Sequence, residues 1–416
     1  MSDTPVPAEA AVARSGIFTA LKHRNYRLFW FGNLVSLTGD WLDQVALNWL
    51  VITVTGNPVM LGVVNLGRGI PIMIFAVFGG VMADRYDRRR YLMTTQTATM
   101  VVSVLLAVVV WSGDINIWLI AALATCRGIV VAFNLPARDS LIFSLVPRDD
   151  VASAVALNSV TINMAKILGP LAAAGIIAVF DIATCFAVNA VSFTFVLLSL
   201  MMMRLPPKPV DTRRREPVLT SMRQGFAYVG TRPVLLLIVL TGLVPTFFCQ
   251  PYLNVLAIFA ADVFHVGSTG LGVMVSTAAA GAICGGLLAA WLQRDGRRGT
   301  IMLGFMGCFG LSLMLFAWAP VIWVAIPLIF CAGAMHIAYN SSNSTILQLT
   351  VDDEYRGRVL STMMMTRGLV SLGTAAMATL SAFVGARAAM SGMAAVVVVF
   401  AAALWVWAPR LRNLRV

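Results

Sequence analysis

Twelve apolar runs, each nineteen residues or longer, follow one another along this chain: 28–53, 59–83, 91–111, 116–137, 152–179, 183–204, 233–261, 269–292, 300–318, 321–345, 359–384 and 388–408. About 20 apolar residues wound as a helix cross the hydrocarbon of a bilayer. Lipid offers no partner to a backbone N–H or C=O, so each run must bond to itself as a helix. The fold expected is an all-α membrane protein of twelve transmembrane helices, with no room for a large soluble domain. Its 416 residues are 59% hydrophobic and only 12% charged, as such a chain requires.

The links between the runs alternate in charge. Thr55–Pro58, Ser112–Asn116, Asp181–Thr184, His265–Thr269, Ala319–Pro320 and Gly385–Met390 are short and hold no Lys or Arg except Arg387. The alternate links hold Arg85 to Arg90, Arg148, Lys208 to Arg232, Arg294 to Arg298 and Arg356 to Arg358, and the tail holds Arg410, Arg412 and Arg415. Basic loops stay on the cytoplasmic side, so both termini are expected in the cytoplasm. The net charge of +12 is thereby explained by membrane orientation rather than by nucleic acid. Residues 1–13 are polar and lack an apolar core, so no secretory signal is expected. The six cysteines, Cys126, Cys185, Cys249, Cys284, Cys308 and Cys331, all lie inside apolar runs with no Cys-x-x-Cys pair, which reads as packing rather than metal or disulfide chemistry.

The chain divides at its longest link. Residues 1–27 form a tail with an interfacial helix, 28–204 a six-helix bundle, 205–232 a cytoplasmic linker, 233–408 a second six-helix bundle, and 409–416 a tail. In the linker, Leu219, Met222, Phe226 and Val229 recur at helical spacing, as an amphipathic surface helix requires. The halves look repeated. Gly79-Gly80 followed by Asp87-Arg88-Arg89 has its counterpart in Gly285-Gly286 followed by Asp295-Gly296-Arg297-Arg298.

The basic link after the second run reads Gly80-Val-Met-Ala-Asp84-Arg85-Tyr86-Asp87-Arg88-Arg89-Arg90. Gly80 suits a close helix approach. Asp84 stands at a helix C-terminus, where the macrodipole repels it. It is better placed to cap a neighbouring helix and so latch two bundles together. Arg85, Arg88 and Arg89 suit acids and anionic headgroups.

Ionisable groups at bilayer depth are costly and point to function. Asp40 and Asp43 are one turn apart in the first run, in a polar stripe with Asn33, Ser36, Gln44 and Asn48. Two carboxylates this close titrate as a coupled pair. Two roles stay open for Asp40: proton coupling, or a structural ion pair with Arg68 or Arg127. Arg68, Arg127, Lys166 and Arg367 are the cations expected inside, and Asn158 and Asn163 share the face of Lys166. The excess positive charge could attract an anionic or zwitterionic substrate, or simply keep Asp40 ionised. His336 lines up with Tyr339, Asn340 and Asn343, and reads more readily as a packing residue. Phe247, Phe248, Gln250 and Tyr252 around Pro245 and Pro251 predict a kinked seventh helix lining a cavity.

Several segments together resemble one branch of the major facilitator superfamily, the bacterial drug and siderophore exporters. They are Ser36-Leu-Thr-Gly39-Asp40; Ala83-Asp84-Arg85-Tyr86-Asp87-Arg88-Arg89-Arg90; Leu135-Pro136-Ala137-Arg138-Asp139; Val146-Pro147-Arg148-Asp149-Asp150; and Asn158-Ser159 with Lys166-Ile-Leu-Gly169-Pro170. The resemblance covers the first half closely and the second by architecture. It implies that Asp84 latches onto the start of the eleventh helix, that Arg88 pairs with Asp139, and that Gly169-Pro170 matches the antiporter motif. It also implies that Arg127 takes part in proton transfer, although the Gln-Gly of the usual motif is absent around it. Asp87 stands where the wider superfamily has glycine.

The expectation is a proton-coupled exporter in a bacterial inner membrane, moving an amphipathic drug or siderophore by alternating access. The proton gradient would stand in place of a cofactor. Its partners would be substrate, protons and lipids, with no nucleic acid and no partner chain. No nucleotide loop, metal cluster or nucleophile constellation marks an enzyme. An importer or facilitator of a metabolite, or a scaffold that transports nothing, remains open beside it, since a fold does not set direction.

Overall fold

The computed structural model describes residues 18–203, 224, 227–292, 298–352, 355 and 366–414, without the side chains of 77, 84, 85, 366 and 367. All the regular structure among these residues is helical. The long helices are α1 (Arg24–Thr55), α2 (Pro58–Arg85), α3 (Arg88–Trp111), α4 (Ile117–Ile142), α5 (Val151–Val179) and α6 (Ile182–Met202). They continue with α7 (Pro233–Val263), then α8 (Gly267–Leu292), α9 (Arg298–Ala317), α10 (Ile322–Thr350), α11 (Thr366–Val384) and α12 (Ala386–Trp407). Ten are long and apolar enough to cross a membrane, and a shorter apolar stretch, Gly368–Val384, lies in α11. The polar stripe of α1 lowers its hydropathy below theirs.

The caps follow the sequence. Asn57 Oδ1 accepts from the Val59 amide at 2.9 Å, Asn116 Oδ1 from Trp118 at 2.9 Å, and Asp87 Oδ1 from Arg90 at 2.9 Å. Each supplies an acceptor to an orphan amide of a helix N-terminus. At α7 the ladder breaks over Cys249–Pro251, because Pro251 has no amide to donate, and the helix resumes at Tyr252. This is the kink expected there. Of the expected N-terminal tail and interfacial helix, residues 1–17 lie outside the described residues. A single 3-10 turn, Thr19–Lys22, runs straight into α1. Both are tied to the start of α5: His23 Nε2 lies 2.7 Å from Asp150 Oδ2, and the Tyr26 hydroxyl donates to the Ala154 carbonyl at 2.8 Å. Most of the 205–232 linker lies outside the described residues. At its end, Arg232 stacks on Tyr228 at 4.4 Å and pairs with Asp352 at 2.8 Å. That hydrogen bond holds the Asp352 carboxyl below its ordinary range.

The packing repeats between halves. α2 lies against α4, α3 against α6, and α1 against α5 and α6. Likewise α8 lies against α10, α9 against α12, and α7 against α11 and, more lightly, α12. Glycines set the closest approaches. A Cβ on Gly79 would stand 2.6 Å from the Ala132 carbonyl oxygen and 2.8 Å from the Phe133 Cα. Gly285 meets α10 the same way, against Ala334. Gly80, expected to make this approach, has only Pro136 Cβ at 3.9 Å. One residue along a helix turns the side-chain direction by ~100°, and Gly79 is the one facing α4.

Two crossed pairs, α2 with α11 and α5 with α8, join the bundles. Gly62 meets Ala375, Gly272 meets the Pro170 carbonyl, and the Ser276 hydroxyl donates to the Ile167 carbonyl at 2.9 Å. These contacts lie in the halves of the helices that end in the short links nearly free of Lys and Arg. A buried amide lattice adds to them. Gln44 and Asn48 of α1 both donate to Asn254 Oδ1, at 3.1 and 3.3 Å, and Asn254 donates to the Thr374 hydroxyl at 3.0 Å. Asn65 of α2 donates to Asn48 Oδ1 at 3.1 Å.

Gly79→Ala should lower the melting temperature of the purified protein, since overpacking a tight contact costs ~1–3 kcal/mol; Gly80→Ala should leave it unchanged. Asn254→Leu removes three hydrogen bonds, each worth ~0.6 kcal/mol in a membrane, or about 2 kcal/mol together. Spin labels on Asn57→Cys and Ser268→Cys should then report at least about a tenfold gain of the longer inter-bundle distance.

Candidate functional site: a shared arginine between two carboxylates

Four ionisable side chains from three helices meet inside the first bundle. Arg127 of α4 is fully buried; its Nη2 donates to Asp40 Oδ1 at 2.6 Å and its Nη1 contacts Asp43 Oδ1. Arg68 of α2 approaches the other Asp43 oxygen at 3.8 Å. That is beyond hydrogen-bond reach, and neither of those two atoms has another hydrogen-bond partner. Asn189 Nδ2 of α6 completes the far side, donating to Asp43 Oδ1 at 3.2 Å.

Small residues put the charges there. Gly128, next to Arg127, lies against the Arg68 carbonyl, and Gly67, next to Arg68, lies against Thr125. The two arginines thus sit back to back on a tight α2–α4 seam. Gly39, next to Asp40, brings α1 onto Asn189 and Ser192 of α6; a Cβ there would stand 2.5 Å from Asn189 Oδ1.

The two carboxylates are not equivalent. Asp43 has no exposed side-chain surface, while Asp40 is 28% exposed. Two acids and two arginines cancel formally, and a desolvated neutral cluster is far cheaper than an isolated charge. Asp43 is the deeper member, in contact with Arg127 and approached by Arg68. Asp40 is the member with accessible surface.

Of the other expected site residues, some lie at the centre and some do not. Asn158 and Asn163 are half-buried on α5, and Asn163 Nδ2 donates to the Ser159 carbonyl of its own helix at 2.9 Å. Lys166 is half-buried with its Nζ 5.6 Å from the Trp41 ring centroid. Phe247 and Gln250 are half-buried at the α7 break, and Asn340 is exposed on α10. Tyr339 is buried, its hydroxyl donating to the Gly242 carbonyl at 3.4 Å. His336 packs edge-on to Tyr252 and stacks on Phe309 at 5.0 Å, as a packing residue does.

Three expected cavity residues are elsewhere. Asn33 is 2% exposed, buried on the stretch of α1 whose glycines, Gly32 and Gly39, face α6. Gln44 and Asn48 belong to the inter-bundle amide lattice. Arg88 does not pair with Asp139: its Nη1 donates to the Ser140 carbonyl at 3.4 Å, while Arg89 donates to the Met201 carbonyl at 2.5 Å. The side chains of Asp84, Arg85 and Arg367, and the start of the eleventh helix where Asp84 would latch, lie outside the described residues. Gly169-Pro170 lies between α1 and α8. Gly169 rests on the α1 backbone between Thr38 and Leu42, around Asp40, and the Pro170 carbonyl faces Gly272 of α8.

Asn65, Asn189, Asn254 and Thr374 were not singled out in the sequence. Each is a polar side chain within an apolar helix, a signal of the same kind as the α1 stripe but without a stripe of that length around it.

The chain matches the family model described as transmembrane secretion effector over residues 15–415. It is 30% identical to the staphyloferrin A transporter of Staphylococcus aureus, over 84% of this chain and 87% of that one. It is 22% identical to macrolide efflux protein A of Streptococcus pyogenes, over 84% of this chain and 88% of the other. Its fold is that of a bacterial homologue of the human lysosomal transporter Spinster solved in an inward-facing, unoccupied conformation, with a TM-score of 0.74, 15% identity, and 93% of this chain and 98% of that one covered. These relatives are transporters, not enzymes. The chain is a multi-pass membrane protein and belongs to the transmembrane secretion effector family of the major facilitator superfamily.

Proposed function

We propose that this transporter is a proton-coupled exporter of amphipathic compounds, with twelve spans in a bacterial inner membrane and its basic links in the cytoplasm. The observation that carries the reading is the sharing of one buried guanidinium, Arg127, between an accessible carboxylate and an inaccessible one. Asp40 can exchange a proton with water, and Asp43 holds the arginines when it does.

The step follows from charge balance. A proton on Asp40 neutralises it and leaves the cluster with one excess positive charge. Arg127 then has Asp43 as its only anionic partner, and the weak 3.8 Å approach of Arg68 to Asp43 faces competition. Helix α1 is freed to shift about the Thr38–Leu42 stretch. That stretch bears on Gly169, and Pro170 bears on α8, so movement at Asp40 reaches the seam between the bundles. Pro170 has no amide to bond the Lys166 carbonyl, so α5 can bend there. With the bundles joined through the short-link halves, the arrangement fits a carrier open toward its basic side. Substrate release outward requires the amide lattice around Asn254 to part. Relatives named for macrolide efflux and staphyloferrin transport support outward movement of amphipathic cargo.

Everted membrane vesicles with an imposed pH gradient test this, using labelled erythromycin and ethidium as probes. The parent should accumulate at least one of them when the gradient is present. Asp40→Asn should fold with a melting temperature lowered less than that of Asp43→Asn, since it leaves one excess positive charge at the half-open end of the cluster, and lose at least about tenfold in gradient-driven accumulation; full activity would remove Asp40 from the coupling role. Asp43→Asn strands two buried arginines, at a cost of ~3–5 kcal/mol, and should be recovered in poor yield or with a clearly lowered melting temperature.

A further inference from the structure

We infer that Lys166 is the anchor of an anion subsite, so that the transported compound carries a carboxylate or a similar acidic group. The inference rests on the export reading above and specifies its cargo.

At mid-span the described residues hold three cations, Arg68, Arg127 and Lys166, and two acids, Asp40 and Asp43. Both acids are taken by the arginines. Lys166 therefore has no carboxylate partner among the described residues, and its recorded neighbour is the Trp41 ring. At 5.6 Å the ring contributes a modest cation–π attraction. Lys166 sits 13 residues before the end of the 29-residue α5, so each end of the helix is about 20 Å away. A lysine stem cannot snorkel that far. An ammonium kept at that depth without a counterion is costly, and the cost is relieved if the missing anion arrives with the cargo.

The surroundings suit that role. Lys166 is half-buried, so it is reachable. It lies on the α5–α8 side of the molecule, one residue from the Ile167 carbonyl that accepts from Ser276. The ammonium and the Trp41 ring beside it match the acidic head and the apolar body of an amphipathic anion. Bound so, the cargo would lie at the level of Gly169-Pro170, where α5 meets α8.

Two xanthene dyes of like shape and opposite charge, fluorescein and rhodamine 123, test the inference by fluorescence anisotropy. The full-length protein is placed in nanodiscs of phosphatidylcholine alone, at one pH and without any gradient. Fluorescein should bind the parent more tightly than rhodamine 123. Lys166→Gln should weaken fluorescein binding by at least about tenfold, the equivalent of one charged contact, and Lys166→Arg should restore it to within about threefold. If Lys166→Gln does not fold, the preference of the parent between the dyes and the Lys166→Arg result decide. Tighter binding of rhodamine 123, binding of neither dye, or fluorescein binding indifferent to Lys166→Gln would overturn the inference. Displacement of fluorescein by added phosphatidylglycerol would assign the site to a lipid headgroup and overturn it equally. Binding without a gradient does not depend on proton coupling. Asp40→Asn that transports normally would defeat the export mechanism and leave this result standing, and the reverse holds for Lys166→Gln.

Discussion

Arg127 has two carboxylates and cannot be given up by either without consequence. It is fully buried, so its charge must be compensated where it stands. That need fixes the spacing of Asp40 and Asp43 one turn apart on α1. It also fixes the glycines that draw α4 onto α2 and α1 onto α6, since a Cβ at Gly39, Gly67 or Gly128 would meet a neighbouring atom. A lipid-facing helix could not carry these charges. The first bundle is thus built around a small ionic centre wrapped in apolar surface, where a soluble protein would build around an apolar core.

The asymmetry between the two acids gives the centre a direction. Asp43 has no exposed side-chain surface, while Asp40 has 28% of its side chain open. In the proposed mechanism this difference in contact is what a proton would act through, since a ligand shifts an equilibrium only through differential contact with its states. The mechanical link beyond it is short. Asp40 lies within the Thr38–Leu42 stretch that Gly169 rests on, and Pro170 touches α8. Farther out, Gln44 and Asn48 continue the same face of α1 into the amide lattice with Asn254. One helix therefore presents the half-open carboxylate, the contact with Gly169 and the inter-bundle bridge along its length.

Much of this was legible in the sequence. The apolar runs and their charge-alternating links dictate the helices, because lipid leaves the backbone no other arrangement. Asp40, Asp43, Arg68 and Arg127 stood out because each is costly in an apolar run. Their pairing was one of the two roles left open for Asp40, and the structure shows the pairing without excluding the other. The sequence did not tell which neighbour a polar stripe faces. Asn33, Gln44 and Asn48 share the stripe with Asp40, yet one is buried near the α1–α6 contact and two bridge the bundles. Periodicity reports a face, and only packing reports what covers it. Gly79 took the contact expected of Gly80 because helix facing changes by ~100° per residue. Arg88 turned to the Ser140 carbonyl, one residue from its expected acid, since a long side chain samples several acceptors. The lone amides Asn65 and Asn254 gave no pattern, as their partners lie on other helices.

The central claim is that proton movement and cargo movement meet at Asp40. A pH-sensitive dye sealed inside proteoliposomes, with a transported compound supplied on one side only, reads this directly. The account predicts that the parent moves protons against the flow of the compound, and that Asp40→Asn passes the compound down its gradient with no accompanying pH change. Cargo flux through the parent without proton movement, or a pH change in Asp40→Asn equal to that of the parent, would contradict it.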